Sequence, residues 1–477
     1  MITALLILIP FLGGLAALAI GGKTARIIAI AASIITLGLA KYAVWTFDSQ
    51  AGKQFATNLP WIKSLGVNFH VGMDGISILL VVLTAFLVPI ILISVKENTY
   101  SNPALFYGLT LIMESALIGV FTAYDAFLFY VFWELALIPI YFICMLFGGE
   151  GRFRITLKFF VYTLAGSLLM LIGIIYLRQI NPEGSFEISS FYKITLSGSQ
   201  QSWLFWLFLI AFAIKMPIFP FHTWQPDTYT NAPAQGTMLL GGIMSKMGVY
   251  GLIRFIIPLF PSALHEWGNV VIVLSIIGIV YGSLMAWVQT DIKRLIAYSS
   301  FAHIGLIAAG VLANNQQGMD GAMVQMIAHG INAVGLFLIV DYIERTSGTR
   351  LISALGGIRT IAPVVATLFL LILLGSVGLP LTNGFVGEYL LLTGIFQFKA
   401  GAALFAGLTM ILGAVYMLNV YQKTMLGNSG TASAIFADVK GSDLYLLALV
   451  AGLVIISGIF PTFITNISGP AVEMLLK

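Results

Sequence analysis

Seven ionisable side chains stand inside long apolar runs: Glu114, Glu134, Lys215, Lys246, His303, His329 and Glu388. A charge at the centre of a bilayer costs about 2.5–3.5 kcal/mol on insertion scales, so residues kept there serve pairing, proton relay or ion passage. Glu134 sits in Phe132-Trp133-Glu134-Leu135-Ala136-Leu137-Ile138-Pro139, and Glu114 lies mid-run in the preceding segment. Lys246 is bracketed by Gly241, Gly242 and Gly248, which permit close helix approach. His329 follows Gln325 by four residues and precedes Asn332 by three. From Glu134 onward the types read acid, lysine, lysine, histidine, histidine, acid. Making or breaking a Glu134–Lys215 ion pair would gate protonation of the next carrier, because burial and pairing push a titrating group in opposite directions. Histidine titrates near neutrality and suits a relay. The plain alternative for each position is a structural pair, a snorkelling end residue or, for the histidines, a helix-to-helix hydrogen bond. Asp341 and Lys158 fall near span ends and read as interfacial.

The elements that must hold these residues follow from composition. The 477 residues are 59% hydrophobic and 9% charged, with mean hydropathy +0.99. Soluble domains carry about 25% charged residues, so a water-soluble globule is excluded. The single Cys144 excludes a disulfide framework and cannot supply the thiolates of an iron–sulfur cluster. The net charge of +4 comes from short loops, with no basic tract of the kind that engages nucleic acid. No phosphate loop, dinucleotide loop, metal-ligand cluster or nucleophile elbow is present, so the chain itself releases no chemical energy.

A spanning helix needs about 20 mostly apolar residues. Fourteen candidate spans follow: 2–20, 27–46, 74–95, 104–122, 125–147, 156–178, 203–228, 234–257, 269–288, 293–313, 319–342, 361–397, 400–424 and 443–462. The fold class is therefore an all-α polytopic membrane protein, with polar intervals at 47–73, 179–202 and 427–442. Lys23 and Arg26 follow the first apolar run, so it reads as a helix of the mature protein and not as a cleaved signal. One set of alternate loops holds 13 Lys and Arg, among them Lys23, Arg26, Lys96 and Lys293; the other holds 7, among them Lys53, Lys63 and Arg254. The richer side is expected to face the cytoplasm, with both termini on the outer side.

Two spans are interrupted. Two prolines three apart, Pro217 and Pro220, follow Lys215, and Gly375-Ser376-Val377-Gly378-Leu379-Pro380 precedes Glu388. Irregular backbone at membrane depth survives only where protein or a water-filled cavity satisfies it. Paired broken helices in two halves point to the transport site of repeat-built transporters. Glu134 to His303 spans 169 residues and Lys215 to Glu388 spans 173. Two five-helix repeats are expected, 104–257 and 269–424, inverted because each holds an odd number of helices, and followed by a C-terminal helix in 443–477.

Several motifs then match one superfamily. They are Met73-Asp74-Gly75-Ile76-Ser77, Phe132-Trp133-Glu134, Phe221-His222-Thr223-Trp224-Gln225-Pro226-Asp227, Asp291-Ile292-Lys293-Arg294-Leu295, Met326-Ile327-Ala328-His329-Gly330 and Gly384-Phe385-Val386-Gly387-Glu388-Tyr389. Over nearly its whole length the chain resembles the antiporter-like membrane subunits of respiratory complex I and of related multi-subunit cation/proton antiporters. Glu388 matches the branch that carries glutamate where the L and N subunits carry lysine. The resemblance implies a proton channel of fourteen helices with the seventh and twelfth broken. It makes Glu134 and Lys215 a gating pair, Lys246 the central lysine, His303 and His329 the relay and Glu388 the terminal carrier. Glu114 matches a further acidic position. It also implies that FMN, iron–sulfur clusters and quinone (ubiquinone or menaquinone) belong to partner subunits, with no cofactor or metal in this chain. The partners it implies are the adjacent antiporter-like L and N subunits, in a bacterial inner membrane. A sodium/proton antiporter subunit, a membrane-bound hydrogenase subunit and an inert scaffold are the competing readings. The scaffold is disfavoured, since it would gain by replacing seven ionisable groups with leucine.

Overall fold

The computed structural model describes residues 1–97, 99–433 and 436–477, so part of the polar interval 427–442 lies outside it. Among the described residues, twelve helices are long and apolar enough to cross a membrane. Some are almost wholly enclosed, such as Ile292–Leu312 and Gln316–Ser347; others, such as Gly22–Trp45 and Gly441–Ile459, bury only 33% of their most apolar stretch. Glu114, Lys246, His303 and His329 lie on the well-enclosed stretches Pro103–Thr122, Ala234–Leu259, Ile292–Leu312 and Gln316–Ser347.

The two remaining expected spans are the interrupted ones. The first runs as Gly198–Lys215, turns irregularly and resumes as Gln225–Asn231. The second runs as Pro363–Val377 and resumes as Asn383–Phe398. In the first break, Pro217 and Pro220 cannot donate to the helical ladder. In the second, Gly378 adopts φ 74° at the helix C-cap, a left-handed conformation that glycine reaches without steric cost. Leu381, also at φ 74°, reaches it against its side chain.

Three expectations change. The polar interval 47–73 is an antiparallel hairpin, Gln54–Ile62 paired with Val67–Met73, with Asn58 opposite His70. The segment expected as one C-terminal helix is two, Gly441–Ile459 and Thr462–Leu476, because Pro461 interrupts the ladder. Arg254, assigned to a loop from sequence, lies inside the apolar stretch Ala234–Leu259. That stretch is not a plain α-helix: Leu240–Met244 and Leu252–Ile256 are π-helical and flank the α-helical segment Lys246–Gly251. Single-turn π segments are uncommon and cluster at functional sites.

By its internal contacts the chain divides into two compact units. One comprises Met1–Met216, Ile243–Val270 and Asn466–Lys477; the other comprises Pro217–Gly242 and Val271–Thr465. In the first, Ile2–Ile20 packs on Pro103–Thr122 so tightly that a Cβ on Gly14 would meet the Gly108 carbonyl oxygen at 2.9 Å. In the second, Gln316–Ser347 packs on Asn383–Phe398.

Each unit contains the same positioning device. Asp125 caps Ala126–Phe147 by accepting from the amides of Phe127 (2.9 Å) and Leu128 (3.0 Å). Asp291 caps Ile292–Leu312 by accepting from Lys293 (2.7 Å) and Arg294 (3.3 Å). Each cap residue also forms an isolated β-bridge beyond the next long helix, Asp125 to Glu187 and Asp291 to Leu351. Such a cap satisfies the orphan amides of the first turn and fixes the helix start. Glu134 and His303 sit nine and twelve residues past their caps, so the device sets the depth of both side chains.

Candidate functional site

The second unit brings three of the sequence-predicted residues together. His303 Nε2 lies 3.2 Å from Glu388 Oε1 and 3.0 Å from the Ser376 carbonyl oxygen, while Nδ1 lies 2.8 Å from the Ser299 carbonyl oxygen. Carbonyl and carboxylate oxygens only accept, so both ring nitrogens donate, and an imidazolium fits this surrounding better than a neutral ring. Moving the Nε2 proton onto Glu388 would turn the ion pair into a neutral pair in one hydrogen-bond length. Glu388 is 1% exposed, and its other oxygen makes no hydrogen bond among the described residues. That oxygen lies over Gly378, where a Cβ would approach it to 2.7 Å. The broken helix thus makes the space that the carboxylate occupies.

His329 continues the cluster. Its Nε2 is 3.0 Å from Ser300 Oγ, and its ring centroid is 6.0 Å from that of His303. A cavity of about 10 Å³, lined by Ser299, Ser300, His303, Gln325, His329 and Asn332 among others, adjoins both rings. That volume holds about one water, and its walls offer several polar partners. Tyr416 donates to Ser299 Oγ at 3.0 Å, and Asn332 donates to Asn383 Oδ1 at 3.0 Å. The two imidazoles are not in direct contact; the Ser300 hydroxyl and room for about one water adjoin them.

The first unit holds the other four, and it holds them apart. Glu114 is fully buried, and neither carboxyl oxygen makes a hydrogen bond among the described residues. Lys215 is the last residue of its helix; its ammonium makes no hydrogen bond among the described residues and lies 5.4 Å from the Trp133 ring centroid. Glu134 is half-buried, with one oxygen lacking a hydrogen bond; Ser167 lies beside it and Lys215 is within electrostatic reach. The Glu134–Lys215 pair anticipated from sequence is therefore open in this conformation. Lys246 Nζ lies 3.4 Å from Ser245 Oγ, between the two π-helical segments. Gly248 lets this helix close on the broken one, since a Cβ there would sit 2.6 Å from Met216 Cβ.

Two charged groups escaped the sequence reading. Arg254 donates to both carboxylate oxygens of Asp74, and Tyr192 donates to the Arg254 carbonyl oxygen at 2.8 Å. Burial alone would raise the Asp74 pKa, but the Arg254 charge and the Arg254 and Ser77 hydrogen bonds hold it below the usual carboxylate value. The signal lay in Asp74-Gly75-Ile76-Ser77, a cap at the head of an apolar run. Lys293, counted as a loop residue, is 2% exposed and donates to the Ala232 carbonyl oxygen.

A family model described as "NADH:quinone oxidoreductase/Mrp antiporter, TM" matches residues 123–413, well over half of the chain. The chain belongs to that family. Within the NADH:quinone oxidoreductase/Mrp antiporter family, it is 40% identical to NADH-quinone oxidoreductase subunit M of Rickettsia conorii over 94% of this chain and 92% of the relative. It is 35% identical to F(420)H(2) dehydrogenase subunit M of Methanosarcina mazei, covering 100% and 97% of the two chains. A chain in respiratory complex I from Thermus thermophilus with bound NADH superposes with TM-score 0.93 at 31% identity, covering 100% of this chain and 99% of the other. The resemblance read from the motifs is borne out, and so is the all-α polytopic fold with its two broken helices.

Proposed function

We propose that this chain translocates protons as an antiporter-like membrane-arm subunit of an NADH:quinone oxidoreductase, driven by quinone reduction in other subunits. The observation that carries the reading is the His303–Glu388 contact: an imidazole and a carboxylate at 3.2 Å, both enclosed in an apolar chain. Such a pair has little purpose as packing, because replacing it by apolar residues of like volume is commonly neutral or stabilising. Whole-length similarity to subunits of two redox complexes supports coupling to electron transfer.

On this reading Glu388 exchanges protons with the outer half-channel, His303 and His329 relay, and Lys246 is the central carrier. Closing and opening the Glu134–Lys215 pair controls loading, with Glu114 as a further acidic station. The cap-and-bridge device at Asp125 and again at Asp291 supports two five-helix repeats within 104–257 and 269–424. The neighbours are the antiporter-like L and N subunits; FMN, iron–sulfur clusters and quinone reside in other subunits. The membrane is the bacterial inner membrane, with both termini on its outer side.

Proton pumping by the reconstituted complex tests the assignment. Lys246→Ala and Glu388→Gln should each abolish this subunit's share of pumping while assembly survives; a normal proton-to-electron ratio in either variant would defeat it. Sodium/proton antiport is the second reading, since the family description joins both activities. Pumping that follows electron transfer without sodium rejects it.

A further inference from the structure

One cavity is not explained by proton transfer. It has a volume of about 510 Å³ and is lined in part by Gly22, Lys23, Arg26, Ile27, Tyr100 and Tyr107. The size falls within the range of small-molecule sites. It lies where Gly22–Trp45 begins and where Ser77–Ser94 has just ended, at the Lys- and Arg-rich ends of these spans. Lys23 and Arg26 make no ion pair or hydrogen bond among the described residues, and no side chain caps the first turn of their helix. Lys96 and Glu97 close the opposite rim and offset one another in charge. The cavity therefore has a surplus of two positive charges.

Its surroundings are apolar on one side. Ile27, which lines the cavity, is 68% exposed, and the same helix face continues through Ile34 (50%), Ile35 (53%) and Tyr42 (56%). These positions fall at i, i+7, i+8 and i+15, one stripe of a helix. A cationic pocket at the end of an exposed aliphatic stripe fits a molecule with an anionic head and a long hydrocarbon tail. Basic pockets at helix ends bind acidic lipid headgroups by this combination.

We propose that the cavity formed by Gly22, Lys23, Arg26 and Tyr107 binds the phosphodiester headgroup of an anionic phospholipid, whose acyl chain lies along Ile27, Ile34 and Ile35. The guanidinium of Arg26 contacts the phosphate in a bidentate fork, and the Lys23 ammonium adds a point charge. The lipid wedges the first two helices against Pro103–Thr122 without touching the proton carriers.

The test uses the purified complex reconstituted in phosphatidylcholine containing a photoactivatable phosphatidylglycerol, with crosslinks mapped to peptides covering residues 22–27 and 95–107. Labelling of these peptides in the unaltered complex is expected, and it should fall about fivefold for each cation removed, about thirtyfold in Lys23→Gln/Arg26→Gln. The charge-retaining Lys23→Arg should keep the labelling, as should Lys63→Gln in the hairpin turn. Quinone reductase activity should be unchanged in all forms, which separates this site from the proposed proton path. Equal labelling of Lys23→Gln/Arg26→Gln and the unaltered complex overturns the proposal. So does equal labelling by photoactivatable phosphatidylcholine. Loss of the label on adding inorganic phosphate alone would assign the cavity to a free anion and overturn the lipid.

Discussion

The two units treat buried charge differently. In one, His303 and Glu388 touch, both imidazole nitrogens are engaged, and His329 is held by Ser300. In the other, among the described residues, Glu114 makes no hydrogen bond through either oxygen, Lys215 Nζ makes none, and one oxygen of Glu134 has none. A buried charge in contact with its partner is held in one arrangement, whereas one without a contact is costly in its charged form and responds to any field or charge that approaches. The contrast teaches that the second unit brings its ionisable residues into contact while the first keeps them apart.

Four outcomes would break or sharpen that contrast. The largest belongs to His303→Leu, which leaves Glu388 buried beside no cation; losing one partner of a buried pair costs about 3–5 kcal/mol. The denaturation midpoint of the subunit in the purified complex should fall accordingly, and an unchanged midpoint would mean the pair is not charged. Glu114→Leu should act in the opposite sense. Removing a carboxyl without hydrogen bonds should raise stability by about 1–3 kcal/mol on the same measurement. Tyr416→Phe removes one hydroxyl from the Ser299 network and should cost about 1 kcal/mol, with pumping slowed but present. The smallest effect is a double-mutant cycle on Glu134→Gln and Lys215→Met in the resting enzyme. With no hydrogen bond between them, the coupling energy should stay below about 1 kcal/mol. A larger coupling would show that the pair is closed at rest and that the two units are alike.

Much of this was legible beforehand. Ionisable residues in apolar runs stand out because so few charges are present, and all seven prove to be buried or, for Glu134, half-buried. The breaks after Lys215 and before Glu388 could be read from proline and glycine, whose backbone chemistry is local. Contacts were not legible. His303 and Glu388 are 85 residues apart, and the helix that ends at Gly378 leaves room there for the carboxylate. Asp74 and Arg254 are further apart still, and an arginine near a span end looks like an orientation signal until its partner is seen. The π-helical turns on either side of Lys246 have no residue signature in the sequence. The hairpin escaped because its strand Gln54–Ile62 contains Pro60 and mixes polar with apolar residues, which hides a period of two.

The most direct test of the central claim is the proton-to-electron ratio of the reconstituted complex carrying Glu388→Gln, measured beside its quinone reductase rate. Glutamine keeps the shape and the hydrogen bond to His303 but can neither take nor release a proton at neutral pH. If the His303–Glu388 pair carries protons, the ratio falls by the share of this subunit while the complex assembles and still reduces quinone. An unchanged ratio at an unchanged rate would contradict the account.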